Sequence, residues 1–163
     1  MAISMYRASI PVFIRALGNL SAILKKGEAH AGGASFIDAR LAPDMLTLAG
    51  QVQRASDAAK AGAARLGGID NPSFADTEKT FAELQARIKK TIDFLQRVSP
   101  AQIDGGEQRK IEFKAGGREL KFTGTDYLLG FALPNFFFHV TTAYAILRHS
   151  GVQLGKMDYL GSY

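Results

Sequence analysis

The stretch PNFFFHVTTAYAILRHSG, Pro134 to Gly151, decides how the chain folds. It is the most apolar segment of the sequence, yet a histidine, His139, stands directly after three consecutive phenylalanines. On a helical wheel of 100° per residue, Leu133, Phe137, Val140, Tyr144 and Leu147 share one side, and Phe131, Phe138 and Ala145 lie on another. A helix apolar nearly all round is expected at the centre of a bundle, enclosed by its neighbours, or with its extra face buried in a partner subunit. Thr123 or Thr125 caps this region in the sequence reading, Gly151 stops it, and Pro134 bends it in the middle. A membrane span is the competing reading. Pro134, Asn135, His139, Thr141 and Thr142 fall inside the apolar run, and Asp126 and Arg148 close it off, so no membrane association is expected.

Within about 60° of His139 lie Ala132, Asn135, Phe136, Thr142, Ala143 and Ile146. This seam is mostly small or polar, and it admits two readings. Either it packs closely on another helix, with His139 a hydrogen-bonded core residue, or the missing volume leaves a pocket into which Asn135, His139 and Thr142 converge to bind a small ligand. His149 stands ten residues along, about 15 Å up the axis and about 80° around it, so the two histidines cannot share an ion. His30 belongs to a glycine-rich stretch expected to be a surface loop.

Working toward the N-terminus, RKIEFKAGGRELKF alternates with period two and reads as a β-hairpin over about 109–122. A turn at Gly116–Gly117 pairs Ile111 with Phe122 and Phe113 with Leu120 on one face. Glu112 then meets Lys121, and Lys114 meets Glu119, on the other. Three further helices follow from apolar spacing. The first carries Ile3, Tyr6, Ile10, Phe13, Ile14, Leu17, Leu20 and Leu24, with Pro11 expected to kink it and KKGEAHAGGAS to end it. The second opens at Pro43 and ends at Gly67 and Gly68, its inward line of Met45, Ala49, Val52, Ser56, Ala59, Ala63 and Leu66 made mostly of small side chains. The third follows Asp76 as N-cap, with Phe81, Leu84, Ile88, Ile92, Leu95 and Val98 facing in, and Glu83–Arg87 and Asp93–Arg97 as exposed i,i+4 pairs. The tail is expected to dock back through Tyr159 and Leu160.

Composition sets the outer bounds. A chain of 163 residues, 47% hydrophobic and 21% charged, suits one domain over 1–163 that buries about 70% of its unfolded surface. There is no cysteine, which removes disulfides, thiolate nucleophiles and cysteine-ligated metals. The N-terminus lacks the layout of a secretion signal, so a cytoplasmic location is expected. The net charge of +5 is spread over separate elements rather than gathered between exposed aromatics, and no nucleic-acid partner is expected. No nucleophile elbow, dinucleotide fingerprint or P-loop pattern occurs.

The segments LAPDMLTLAGQVQRASDAAKAGAARL, DTEKTFAELQARIKKTIDFL and, most specifically, FTGTDYLLGFALPNFFFHVTTAYAILRHSGVQLGKMDYLG resemble a bacterial family of unknown function within the DinB/YfiT-like superfamily of four-helix bundles. The resemblance extends over nearly the whole chain. It implies an all-α, up-down-down-up four-helix bundle with the hairpin inserted before the last helix, a homodimer, and often a divalent metal used in thiol-transfer chemistry. It also implies a metal site built from one histidine of the second helix and two, four residues apart, of the last. His139 matches the first of that pair, Ala143 stands at the second position, and helix two has no histidine. With one of three imidazoles left, most affinity for zinc or nickel is expected to be gone. The leading expectation is a protein without a metal cofactor that binds a small ligand or a partner. Its alternative is a divalent-metal enzyme related to thiol S-transferases, its site rebuilt from ligands such as Gln53, His30 or a carboxylate not placed by the sequence.

Overall fold

The computed structural model describes residues 3–162. Four long helices carry the chain: α1 (Ile10–Ala29), α2 (Leu48–Gly67), α3 (Phe81–Leu95) and, after several short elements, α6 (Leu133–His149). Between α3 and α6 come α4 (Pro100–Ile103), the strands β1 (Ile111–Ala115) and β2 (Arg118–Phe122), and α5 (Gly124–Tyr127); α7 (Lys156–Leu160) closes the chain. The helix α1 packs on α3 and α6, and α2 packs on the same two, while α1 and α2 barely meet. One contiguous apolar core runs through all four, from Phe13, Leu17 and Leu24 through Val52, Ala59, Leu84 and Ile88 to Phe136 and Leu147.

The hairpin has the register that its alternation dictates. Ile111 lies opposite Phe122, Glu112 opposite Lys121 and Phe113 opposite Leu120. Gly116 and Gly117 both take positive φ, 56° and 75°, which matches the right-handed twist of the strands and favours glycine at both turn positions. The half-buried rings of Phe113 and Phe122 meet Tyr127 and Phe131 with centroids 5.2–5.9 Å apart. The Arg65 guanidinium of α2 sits 3.8 Å over Phe113 and donates to the Tyr127 hydroxyl at 3.0 Å. This aromatic cluster fastens an otherwise marginal two-stranded sheet to the helices.

Several helix boundaries differ from the sequence reading, each for a local reason. Pro11 starts α1 instead of kinking it, because the first turn has no use for the missing N–H. That helix continues through Ala29, and the following loop contains a 3₁₀ turn over Gly33–Asp38. The second helix begins after Thr47, whose hydroxyl accepts from the Gly50 N–H, and leaves Pro43 in the preceding turns. The third is capped by Thr80 rather than Asp76, in a reciprocal box with Glu83. Glu83 is thereby occupied, and Arg87, expected on the surface, is buried elsewhere.

The last helical region is also divided. Thr123 caps α5, the backbone widens into a π turn over Leu128–Ala132, and α6 begins with Pro134 in its first turn. The expected mid-helix bend is therefore a π turn ahead of the proline, where no N–H is available to close an ordinary i→i−4 bond. The face that α6 buries is Phe136, Val140, Thr142, Ala143, Ile146 and Leu147. Thus the small and polar seam, with Phe136 at its edge, points inward. Phe137 and Tyr144 are half-buried, and Phe138 is 55% exposed. The helix lies against α1 and α2 with one side in solvent, which corrects the expectation of a rod enclosed on all sides. Small side chains explain the choice: Ala143 of α6 and Ala55, Ala59 and Ala63 of α2 are fully buried, and the α2–α6 contact is the most extensive between helices.

The tail docks as expected. Asn19 donates to the carbonyls of Tyr159 and Leu160, both at 3.0 Å, and the hydroxyls of Thr141 and Tyr159 lie 2.9 Å apart.

Candidate functional site

His139 sits where α6 crosses α2. Its Nδ1 lies 2.7 Å from Oε1 of Gln51, an α2 side chain that is 1% exposed. The Gln51 amide is itself oriented, because its Nε2 donates to the Leu46 carbonyl at 3.4 Å. Gln51 follows Leu48 by three positions and precedes Ala55 by four, so it belongs to a buried strip of α2 that faces α6. Burial, and secondarily the positive charge of Arg54, pushes the His139 pKa below the ordinary histidine range. That direction favours the neutral imidazole.

The other two candidate residues lie nearby on the helix but are differently engaged. Thr142 is buried and donates its hydroxyl to the Phe138 carbonyl, one turn back, at 2.7 Å. That hydroxyl is spent within its own helix. Asn135 is half-buried, one turn before His139, and its amide makes no hydrogen bond among the described residues. Beside this seam runs a shallow apolar groove of about 530 Å³, lined by Leu41, Met45, Phe137, Phe138, Thr141, Thr142 and Ala145. Thr142 is thus the point where seam and groove meet.

The donors do not fit a divalent metal ion. His139 offers one nitrogen, Nε2, since Nδ1 is engaged by Gln51. Ala143 has no donor, and among the described residues no three His, Cys, Asp or Glu side chains gather to hold a metal. Arg54, whose charge already disfavours protonation of His139, disfavours a dication for the same reason. The proposed substitutes are committed elsewhere. Gln53 donates to Glu78 at 3.0 Å. His30 lies beside Gly151, past the far end of α6 and about 18 Å along the axis from His139, with its Nδ1 2.8 Å from the Ala31 carbonyl.

A second polar constellation was not read from the sequence. Arg87 of α3, with a side chain 1% exposed, reaches Asp57 of α2 at 2.9 Å and Asp76 and Glu78 of the α2–α3 connection at 3.0 Å each. It also donates to the Ala75 carbonyl at 3.0 Å. Lys60, equally buried, pairs with Asp57 at 3.2 Å, donates to the Pro72 carbonyl at 2.8 Å and lies 4.0 Å over the Phe74 ring. Arg54 joins the network through Asp57 and Asp76. Every cation here has a carboxylate or carbonyl partner, and the network straps residues 70–80 across α2 and α3.

The sequence matches the family model described as a domain of unknown function, DUF1993, over residues 5–160. No curated protein matches it. Among solved structures it is similar to a DinB family member protein from Shewanella denitrificans, at 39% identity and a TM-score of 0.87 over 97% of this chain and 92% of that one. Among the described residues, no helix is long and apolar enough to cross a membrane.

Proposed function

The chain belongs to the DUF1993 family, and from that premise we propose that it is a binding protein working without a metal cofactor on an up-down-down-up four-helix bundle. The observation that carries this reading is the Gln51–His139 hydrogen bond across α2 and α6. Where the superfamily resemblance implies imidazoles converging on an ion, this chain places an amide that accepts the imidazole proton. The histidine keeps one nitrogen without a hydrogen-bond partner among the described residues, on a ring whose centroid is 5.3 Å from that of Phe138 in the apolar groove, which suits recognition of a small ligand by a single hydrogen bond beside an apolar contact. The arrangement of helices supports the bundle: α1 and α2 each touch α3 and α6, and hardly touch one another.

Self-association belongs to the same reading. Away from that groove Leu129 and Met157 are 59% and 60% exposed, the kind of apolar side chain that a homodimer covers.

Elemental analysis of untagged protein after exhaustive dialysis tests the proposal. The expected result is no stoichiometric zinc, nickel or other transition metal, and no saturable uptake when zinc is added back. Metal retained at one ion per chain, and lost in His139→Ala, would overturn it in favour of a metal-dependent enzyme.

A further inference from the structure

We infer that Gln51 is a positioning residue: it fixes His139 as the Nδ1–H tautomer, so that Nε2 presents a bare lone pair and selects ligands bringing a neutral O–H or N–H donor. The inference rests on the reading above of His139 as the ligand-contacting residue.

Three steps lead to it. The Leu46 carbonyl can only accept, so the Gln51 group facing it must be the NH₂, as the 3.4 Å contact has it. The amide oxygen is then the atom that meets His139 Nδ1 at 2.7 Å, and because that oxygen also can only accept, the proton must reside on Nδ1. A neutral imidazole carries one N–H, so Nε2 is an acceptor. It has no hydrogen-bond partner among the described residues, and it is not sealed away: the Arg87 Nε is the buried side-chain atom without one. A cationic donor is disfavoured by Arg54. An anion would face the Nε2 lone pair with nothing to donate. What remains is an uncharged donor such as a hydroxyl or an amide N–H, on a molecule whose apolar part can lie along Phe138 and Thr142.

The test is a long-range ¹H–¹⁵N correlation spectrum of the histidine rings in labelled protein at pH 7, with phenol and anisole as matched probes that differ in one O–H. The expected spectrum shows His139 neutral with its proton on Nδ1. Phenol should shift the Nε2 resonance saturably, and anisole should bind about fivefold more weakly, the worth of one hydrogen bond. Gln51→Leu should release the tautomer toward Nε2–H and abolish the preference for phenol. Gln51→Glu, which keeps the acceptor but adds a negative charge, should raise the His139 pKa, put a proton on Nε2 near neutral pH and abolish the preference too. An Nε2–H tautomer in the unsubstituted protein, or an unchanged tautomer in folded Gln51→Leu, would overturn the positioning role. Equal responses to phenol and anisole, or none to either, would overturn the ligand class. Failure of the metal-free reading shows separately, as metal in the dialysed protein.

Discussion

Phe136→Ala lowers the stability of the protein by about 4 kcal/mol, the cost of a large cavity in a core that cannot collapse around it. Phe136 is fully buried, its ring 4.9 Å edge-on from Phe13 of α1 and 5.2 Å from Phe137. It therefore sits in the seam between α1 and α6, and Phe13 in turn lies against Gly62 of α2, where even a Cβ would come within 3.1 Å of its ring. Removing Phe136 withdraws the ring that backs Phe13 between α6 and α2. Its neighbours make the control. Phe137 is half-buried, and its replacement by alanine is expected to cost about 1–2 kcal/mol. Phe138 is mostly exposed, and Phe138→Ala should change monomer stability by no more than about 0.5 kcal/mol. Urea denaturation of the three variants measures this ranking. A larger loss at Phe137 than at Phe136 would restore the wheel-based orientation of α6 that the structure corrects.

Arg87→Met destabilises by about 3 kcal/mol, because the substitution leaves Asp57, Asp76 and Glu78 facing one another without their shared cation. The partners are partly hydrated, which holds the expected loss to the low end of the range for a broken buried pair. Arg87→Lys should recover only part of it, since one ammonium cannot replace a fork that reaches three carboxylates and a carbonyl. The midpoint of the urea transition should fall with its slope unchanged. The network also sets an acid limit. Burial by itself would raise the Glu78 pKa, but hydrogen bonds from its backbone N–H, Arg87 and Gln53 outweigh it and hold the carboxyl below the ordinary range. A carboxyl with a lowered folded pKa contributes stability that is fully present above its unfolded value, about 4.3, and is lost as pH falls through the folded value. Stability should therefore decline below about pH 4, and that decline should be shallower in Arg87→Met.

How legible each element was in the sequence depended on how many signals agreed. The hairpin could be read to the residue because strand period, charge pairing and the Gly116–Gly117 turn all fixed one register. Helix starts were harder, since Asp44 and Thr47, like Asp76 and Thr80, are all capping residue types about one turn apart, and only the chain's path selects between them. The Glu83–Arg87 spacing suggested a surface pair, yet Glu83 is drawn into its own N-cap and Arg87 follows carboxylates 9, 11 and 30 positions away. Such distances carry no periodicity. The rotation of α6 was unreadable for the opposite reason. With apolar residues on nearly every side, close packing against alanines of α2 decides which face turns inward, and that is a property of the pair.

The candidate site divides in the same way. His139 stood out as an imidazole in the middle of an apolar helix, and Ala143 announced the departure from a three-histidine metal site. Gln51 did not stand out. A glutamine amid small residues resembles many solvated ones, and the available clue was its placement between Leu48 and Ala55 on a second buried strip. Recognising a strip requires knowing that α2 is covered on two sides, by α3 and by α6.

The hydrogen bond between those two side chains is the claim on which the functional reading stands, and a double-mutant cycle over Gln51→Leu and His139→Leu measures it directly. Each single substitution leaves a buried polar partner unmatched, whereas the double variant removes both, so a favourable coupling of about 1 kcal/mol is expected. Additive losses, with coupling indistinguishable from zero, would mean that α2 and α6 are not joined through this pair and would contradict the account.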